Sequence, residues 1–271
     1  MRGTSGASLD QARERFDPVL RDAGAEGTEI GEQLFTVTRA LDGSATLRRS
    51  LADPSRSGED KAQLVTGILS NGFDGRVVDL LAGLVRSRWS SEQDLADAVE
   101  LLGFDAVLSA AQSRDALETV EDEIFRLTRA LEGQRDARQA LSDARTDPQR
   151  RTDLVDGLLA GRADAATGVL ARHATRDLRG RRFVAALLQV ADIAAERRNR
   201  LVASVAAAVP PSSQQLERLG ALLERAYGRP VQLNVSVDPA TLGGLRIQVG
   251  ADVIDTTVLA RLADARRRLA G

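Results

Sequence analysis

Apolar residues recur every three or four positions from Leu9 to about Leu201, as in Leu34, Val37 and Leu41, or in Leu64 and Ile68. That spacing lines one face of an α-helix, so this region is predicted to be a set of amphipathic helices. Helix-start signals accompany it. Ser8-x-x-Gln11 and Ser57-x-x-Asp60 have the form of capping boxes, and Asp147-Pro148 places a cap directly before a proline at the first helical position. Pro54 and Pro148 fit at helix ends, whereas Pro18 is positioned to kink the first helix.

After Leu201 the rhythm changes. "RLVASVAAAVPP" reads as a strand ended by Pro210-Pro211, and "SSQQLERLGALLERAYG" as a capped amphipathic helix ending near Gly228. "PVQLNVSV" alternates Val231, Leu233, Val235 and Val237 with polar residues at period two, the pattern of a half-buried strand. A second strand is predicted near Leu245 to Val249, and a last helix from Thr256 to Leu269 capped by Asp255. Residues 201–271 therefore form a small α+β domain.

The helical region also repeats itself. "QLFTVTRALDGSATLRRSLADPSRSGEDKAQLVTGIL" from Gln33 aligns with "EIFRLTRALEGQRDARQALSDARTDPQRRTDLVDGLL" from Glu123, at a constant offset of 90 residues and without a gap. Phe35 meets Phe125, Leu51 meets Leu141 and Asp53 meets Asp143. Two copies of one multi-helix module lie in tandem, at 1–111 and 112–200. The predicted fold is mainly α: two tandem helical-bundle repeats followed by a small α+β C-terminal domain.

Composition narrows the chemistry. The chain has no Cys, which excludes disulfides, thiolate nucleophiles and Cys-ligated metals, and His173 is its one histidine. Aromatics are 3%, so the core is built mainly from Leu, Ala and Val, which suits close-packed helices. Lys61 is the only lysine; a net charge of −2 argues against a dedicated nucleic-acid binder. No apolar run reaches the ~18 residues that span a bilayer, and "MRGTSGASLD" lacks the apolar core of a signal peptide. The expectation is a soluble protein without direct membrane insertion.

"VDPATLGGLRIQVGADVIDTTVLARL", from Val237, is the stretch most like a site. Gly243-Gly244 is followed by a strand and by no lysine, so it fits a turn needing positive φ better than a phosphate loop. Asp238 before Pro239 reads as a local cap, Asp252 as part of a turn, and Asp255 as a helix cap. His173, with arginines on both sides in "VLARHATRDLRGRR", is expected on a solvated helix surface, and Trp89 as a packing anchor between helices or part of a contact surface. Residues 172–200 carry eight arginines against Asp177, Asp192 and Glu196, interleaved with the core positions Phe183, Leu187, Val190 and Ile193. They are read first as a solvated helix face, with docking to an acidic protein helix or contact with nucleic acid as the other readings. No catalytic, cofactor-binding or metal-ligating constellation emerges.

The order of residues in the C-terminal stretch resembles the signature of the delta subunit of rotary ATP synthases, the family of the mitochondrial oligomycin-sensitivity-conferring protein. Asp238-Pro239, Leu242-Gly243-Gly244, the strand Leu245 to Val249, the turn Gly250 to Asp252 and Ile254-Asp255 match it in sequence. The family's Gly-Ser after that Ile-Asp is Thr256-Thr257 here. The second repeat is similar to the family's helical bundle, which shorter members possess once. The resemblance implies a non-catalytic stator subunit with no cofactor, held peripherally at the cytoplasmic side of the cell membrane. It also implies partners: N-terminal helices of the α subunits for the helical domain, the b subunit of the peripheral stalk for the C-terminal domain, and no nucleic acid. On that reading Asp238, Pro239, Gly243, Gly244 and Asp255 are structural. A helical adaptor of another multisubunit complex is the alternative.

Overall fold

The computed structural model describes residues 3–199, 201–228, 231–237, 243–249 and 252–255. The chain divides into two units, Met1–Ala195 and Glu196–Gly271. The first is helical, with α1 Gly3–Ala23, α2 Gly27–Gly43, α3 Ala45–Ala52, α4 Gly58–Leu69, α5 Gly75–Arg86 and α6 Glu92–Ser113. It continues through α7 Leu117–Ala130, α8 Arg135–Ser142, α9 Pro148–Leu159, α10 Ala165–Arg176 and α11 Phe183–Asn199. The duplication predicted from sequence is built into this unit. Helices α3, α4 and α5 recur as α8, α9 and α10 with both ends displaced by 90 residues.

The polar wiring is duplicated as well. Ser57 caps α4 by accepting from the Asp60 amide, and its counterpart Asp147 caps α9 from the Gln149 amide. Gln33 accepts from the Asp74 amide at 2.8 Å, and Glu123 from the Asp164 amide at 2.9 Å. Lys61 Nζ donates to the Asp53 carbonyl at 3.2 Å, and Arg151 Nη1 to the Asp143 carbonyl at 2.7 Å. Two expectations change. Ser8 lies inside α1, which begins five residues earlier, and its hydroxyl donates to the Arg88 carbonyl instead of capping a helix. Pro18 also lies inside α1, which runs on without a break to Ala23.

The same offset carries α1 onto α6, so α6 is the last helix of the first copy and the first helix of the second. Its burial reflects that double membership. Fifteen of its 22 residues are buried, where a surface helix buries one stripe. Leu95, Val99, Leu102 and Ala106 enter a core with Leu9, Phe16 and Leu34. Phe104, Val107, Leu108 and Ala111 enter the other, with Ile124, Leu170 and Phe183. Helix α2 crosses α6 closely enough that only glycine fits at the contact. A Cβ at Gly31 would lie 2.5 Å from Val107 Cγ2, and one at Gly103 would lie 2.6 Å from the Phe35 ring.

The second unit contains β1 Leu201–Ala207, α12 Ser213–Tyr227, β2 Val231–Val237, β3 Leu245–Val249 and β4 Asp252–Asp255. The sheet order is β2-β1-β3-β4. Strands β1 and β2 are parallel, joined by the α12 crossover that parallel pairing requires, and the remaining pairs are antiparallel. Ala203, Val205, Val231, Ile247 and Val249 pack with Leu223 of α12. Helix α12 carries a complete Ser212/Gln215 capping box and ends at Gly228 with φ +65°. Asp252, expected in a turn, begins β4 and accepts a hydrogen bond from the Tyr227 hydroxyl at 3.2 Å. A four-residue edge strand with aspartates at both ends has no local strand signal; its pairing with β3 creates it. Asp255 closes β4 opposite Arg246. Asp238, Pro239 and the expected helix Thr256 to Leu269 lie outside the described residues.

Gly243 and Gly244 have φ of +67° and +84°, leading into β3. A β-branched residue is strained there, so Gly244→Val is expected to cost about 1–3 kcal/mol. Thermal unfolding of the full chain checks it; an unchanged melting profile would refute the turn assignment.

Candidate docking site

The first copy carries an open groove between α1 and α5, with a volume of about 360 Å³. Its floor is apolar: Ala12, Phe16 and Val19 from α1, and Leu80, Gly83 and Leu84 from α5. The spacing of three and four residues puts each set on a single helix face. Arg15, Arg76, Asp79 and Arg86 stand at the rim. An apolar floor with a rim of mixed charge suits one face of an amphipathic helix. Trp89 follows α5, and its Nε1 donates to the Leu84 carbonyl at 2.8 Å while the ring packs on the first core. Of the two roles expected for it, the packing anchor is the one these contacts show.

A different surface holds the two copies together. Phe35, on α2 of the first copy, is inserted into the core of the second. Its ring stacks on His173 of α10 at 3.8 Å and 13°, with Phe104 edge-on to the same imidazole at 5.4 Å. His173 is therefore not on a solvated surface; it is 4% exposed. Its Nε2 lies 2.9 Å from Glu100 and its Nδ1 3.1 Å from Asp177. Arg179 reaches Asp42, Asp97 and Glu100, each at 2.8 Å, and Arg181 also donates to Glu100. Two arginines expected on a solvated face thus belong to an internal ion network, because the carboxylates that pair them come from α2 and α6.

Glu100 is the centre of that network. Burial opposes its ionisation, but the hydrogen bond from His173 and the charges of Arg179 and Arg181 outweigh burial and hold its pKa at about 2. The cleft above it, about 940 Å³, is lined by Arg39, Arg48, Arg179 and Arg181 against Asp42, Asp97, Glu100 and Asp177. Four charges of each sign balance, so the cleft carries no formal net charge. Among the described residues, no three His, Asp or Glu side chains are grouped to hold a metal. The arrangement can clamp helices; it contains no nucleophile with an adjacent base.

Of the motif residues, Gly243 and Gly244 lead into β3 and Asp255 ends β4 in the second unit, far along the chain from the groove, and Asp238 and Pro239 lie outside the described residues. Neither the residues of this groove nor the Glu100 network stands out in the sequence. The 12, 16, 19 spacing in α1 marks one wall of the groove, whereas Glu100 and His173 are 73 positions apart and share no local pattern.

Residues 105–269 match the family described as "ATP synthase delta (OSCP) subunit". The match begins inside α6, and so takes in the second copy and the C-terminal unit. The chain is 51% identical over 271 residues to the ATP synthase subunit delta of Beutenbergia cavernae, covering all of both chains. It is 43% identical over 270 residues to the ATP synthase subunit delta of Streptomyces coelicolor, covering 100% of this chain and 98% of that one. These full-length matches take in both helical copies.

Proposed function

The chain belongs to the ATP synthase delta (OSCP) subunit family, and from that premise we propose how its two units divide the work. It is a non-catalytic stator subunit of a proton-driven rotary ATP synthase, linking the catalytic head to the peripheral stalk so that rotor torque drives synthesis. The helical region, read as copies at 1–111 and 112–200, grips the head by accepting an N-terminal helix of an α subunit. The C-terminal domain, 201–271, holds the end of the b subunit. Asp238, Pro239, Gly243, Gly244 and Asp255 act by shaping that domain's backbone and touch no reactant. No helix among the described residues is long and apolar enough to cross a membrane. The subunit is held at the cytoplasmic side of the membrane through its partners.

The observation that carries the head contact is the apolar-floored groove between α1 and α5. A tether that resists torque must hold its partner without yielding, and a helix seated in a groove buries area along its whole length. Ala12→Glu puts a charge on the groove floor, where a docked helix would desolvate it without a partner. The variant is expected to bind the isolated catalytic head at least tenfold more weakly, with unchanged melting. Calorimetric titration of the full chain into the head measures both forms. Wild-type chain that fails to bind would sink the head contact itself.

A further inference from the structure

We infer that the duplicated body offers one groove of the α1/α5 kind, on the first copy, because the second copy's equivalent is occupied by helices α1 and α2 of the first. The inference rests on the proposal that the α1/α5 groove accepts a partner helix. By the 90-residue offset, the second groove should lie between α6 and α10. Every position that floors the open groove has a counterpart there, and each counterpart is buried. Ala12, Phe16 and Val19 correspond to Leu102, Ala106 and Ser109; Leu80, Gly83 and Leu84 correspond to Leu170, His173 and Ala174.

What covers them is visible at Leu102, Ala106 and His173. Leu102 and Ala106 are built into the first copy's core beside Leu9, Phe16 and Leu34. Asp105, the counterpart of the rim residue Arg15, is paired with Arg13 of α1 at 2.8 Å. His173 lies beneath the Phe35 ring, and four residues further along α2 Arg39 donates to Asp177 at 3.1 Å. The cause is the sharing of α6. One helix serves as the first element of the second copy and the last of the first, and the face that would floor a second groove is already the first copy's core. Residue identity has followed: half-buried Gly83 leaves space at the floor of the open groove, and the imidazole at its counterpart fills that space with a stacked contact. A second copy of the bundle therefore adds no second site of this kind.

Because the chain has no cysteine, accessibility can be read at equivalent positions by maleimide labelling of single-cysteine variants. Val19→Cys is expected to label at least 100-fold faster than Ser109→Cys in the native full chain, and to be shielded when the catalytic head is added. Ser109→Cys should label only after denaturation, with or without the head. Ala106→Cys repeats the buried measurement should Ser109→Cys melt early. Rapid native labelling of the buried position would overturn the closed second groove. Failure of the head to shield Val19→Cys, with the buried position still unlabelled, would instead overturn helix acceptance by the first groove. A titration with a peptide of the α-subunit N-terminal helix should return one site per chain, lost in Ala12→Glu; two sites would overturn the inference.

Discussion

Replacing Glu100 by glutamine is expected to destabilise the helical unit by about 3 kcal/mol, because it removes the carboxylate on which His173, Arg179 and Arg181 converge. Breaking a buried ion pair from one side leaves charge behind in a place water cannot reach, and that desolvation dominates over the lost attraction. Arg179 retains Asp42 and Asp97, which keeps the cost at the lower end for a buried network. For a unit of this size the melting temperature should fall by about 6–12 °C.

The effect should depend on pH in a defined direction. Glu100 ionises at about 2 in the folded chain against an ordinary 4.5, so its contribution is fully present above 4.5 and is lost as pH falls from 4.5 toward 2. The wild-type advantage over Glu100→Gln should therefore be constant near neutrality, and more than half of it should be gone by about pH 3. Urea unfolding of both proteins at the two pH values tests it. A stability difference that stays the same, or grows in acid, would refute the assignment.

Phe35→Ala should cost about 3–5 kcal/mol, while Phe125→Ala, at the same position of the second copy, should change stability by less than about 0.5 kcal/mol. The two phenylalanines differ in surroundings, not in chemistry: Phe35 is 2% exposed and Phe125 56%. Removing the first empties a space bounded by His173, Phe104 and the Gly103 backbone, which cannot collapse around an alanine. Comparable losses from both variants, by denaturant unfolding, would show that the inserted ring does not hold the copies together.

Much of this architecture is legible in the sequence because its causes are local. The 3.6-residue period, the caps at Ser57 and Asp147 and the alternation in β2 each lie within one short window, and the 90-residue repeat emerges when two such windows are aligned. What escaped depends on distant partners. "VLARHATRDLRGRR" reads as surface because arginines usually are, yet Glu100, Asp97 and Asp42 come from other helices to neutralise it. Ser8-x-x-Gln11 has the right spacing for a helix start, but α1 already extends through it, and the packing of α1 on α5 and α6 overrides the local signal. The groove itself is the space those two faces leave between α1 and α5, and no single segment encodes it.

The shared helix α6 also decides how the two copies come apart. In a string of separate modules, one can unfold while its neighbour stays intact, so the array fails piecemeal. Here Leu102 and Leu108 sit on one helix but in different cores, so unravelling α6 dissolves both cores together. The two copies are therefore expected to unfold as one cooperative unit with a single transition. A pull on the first copy is then expected to meet the stability of both.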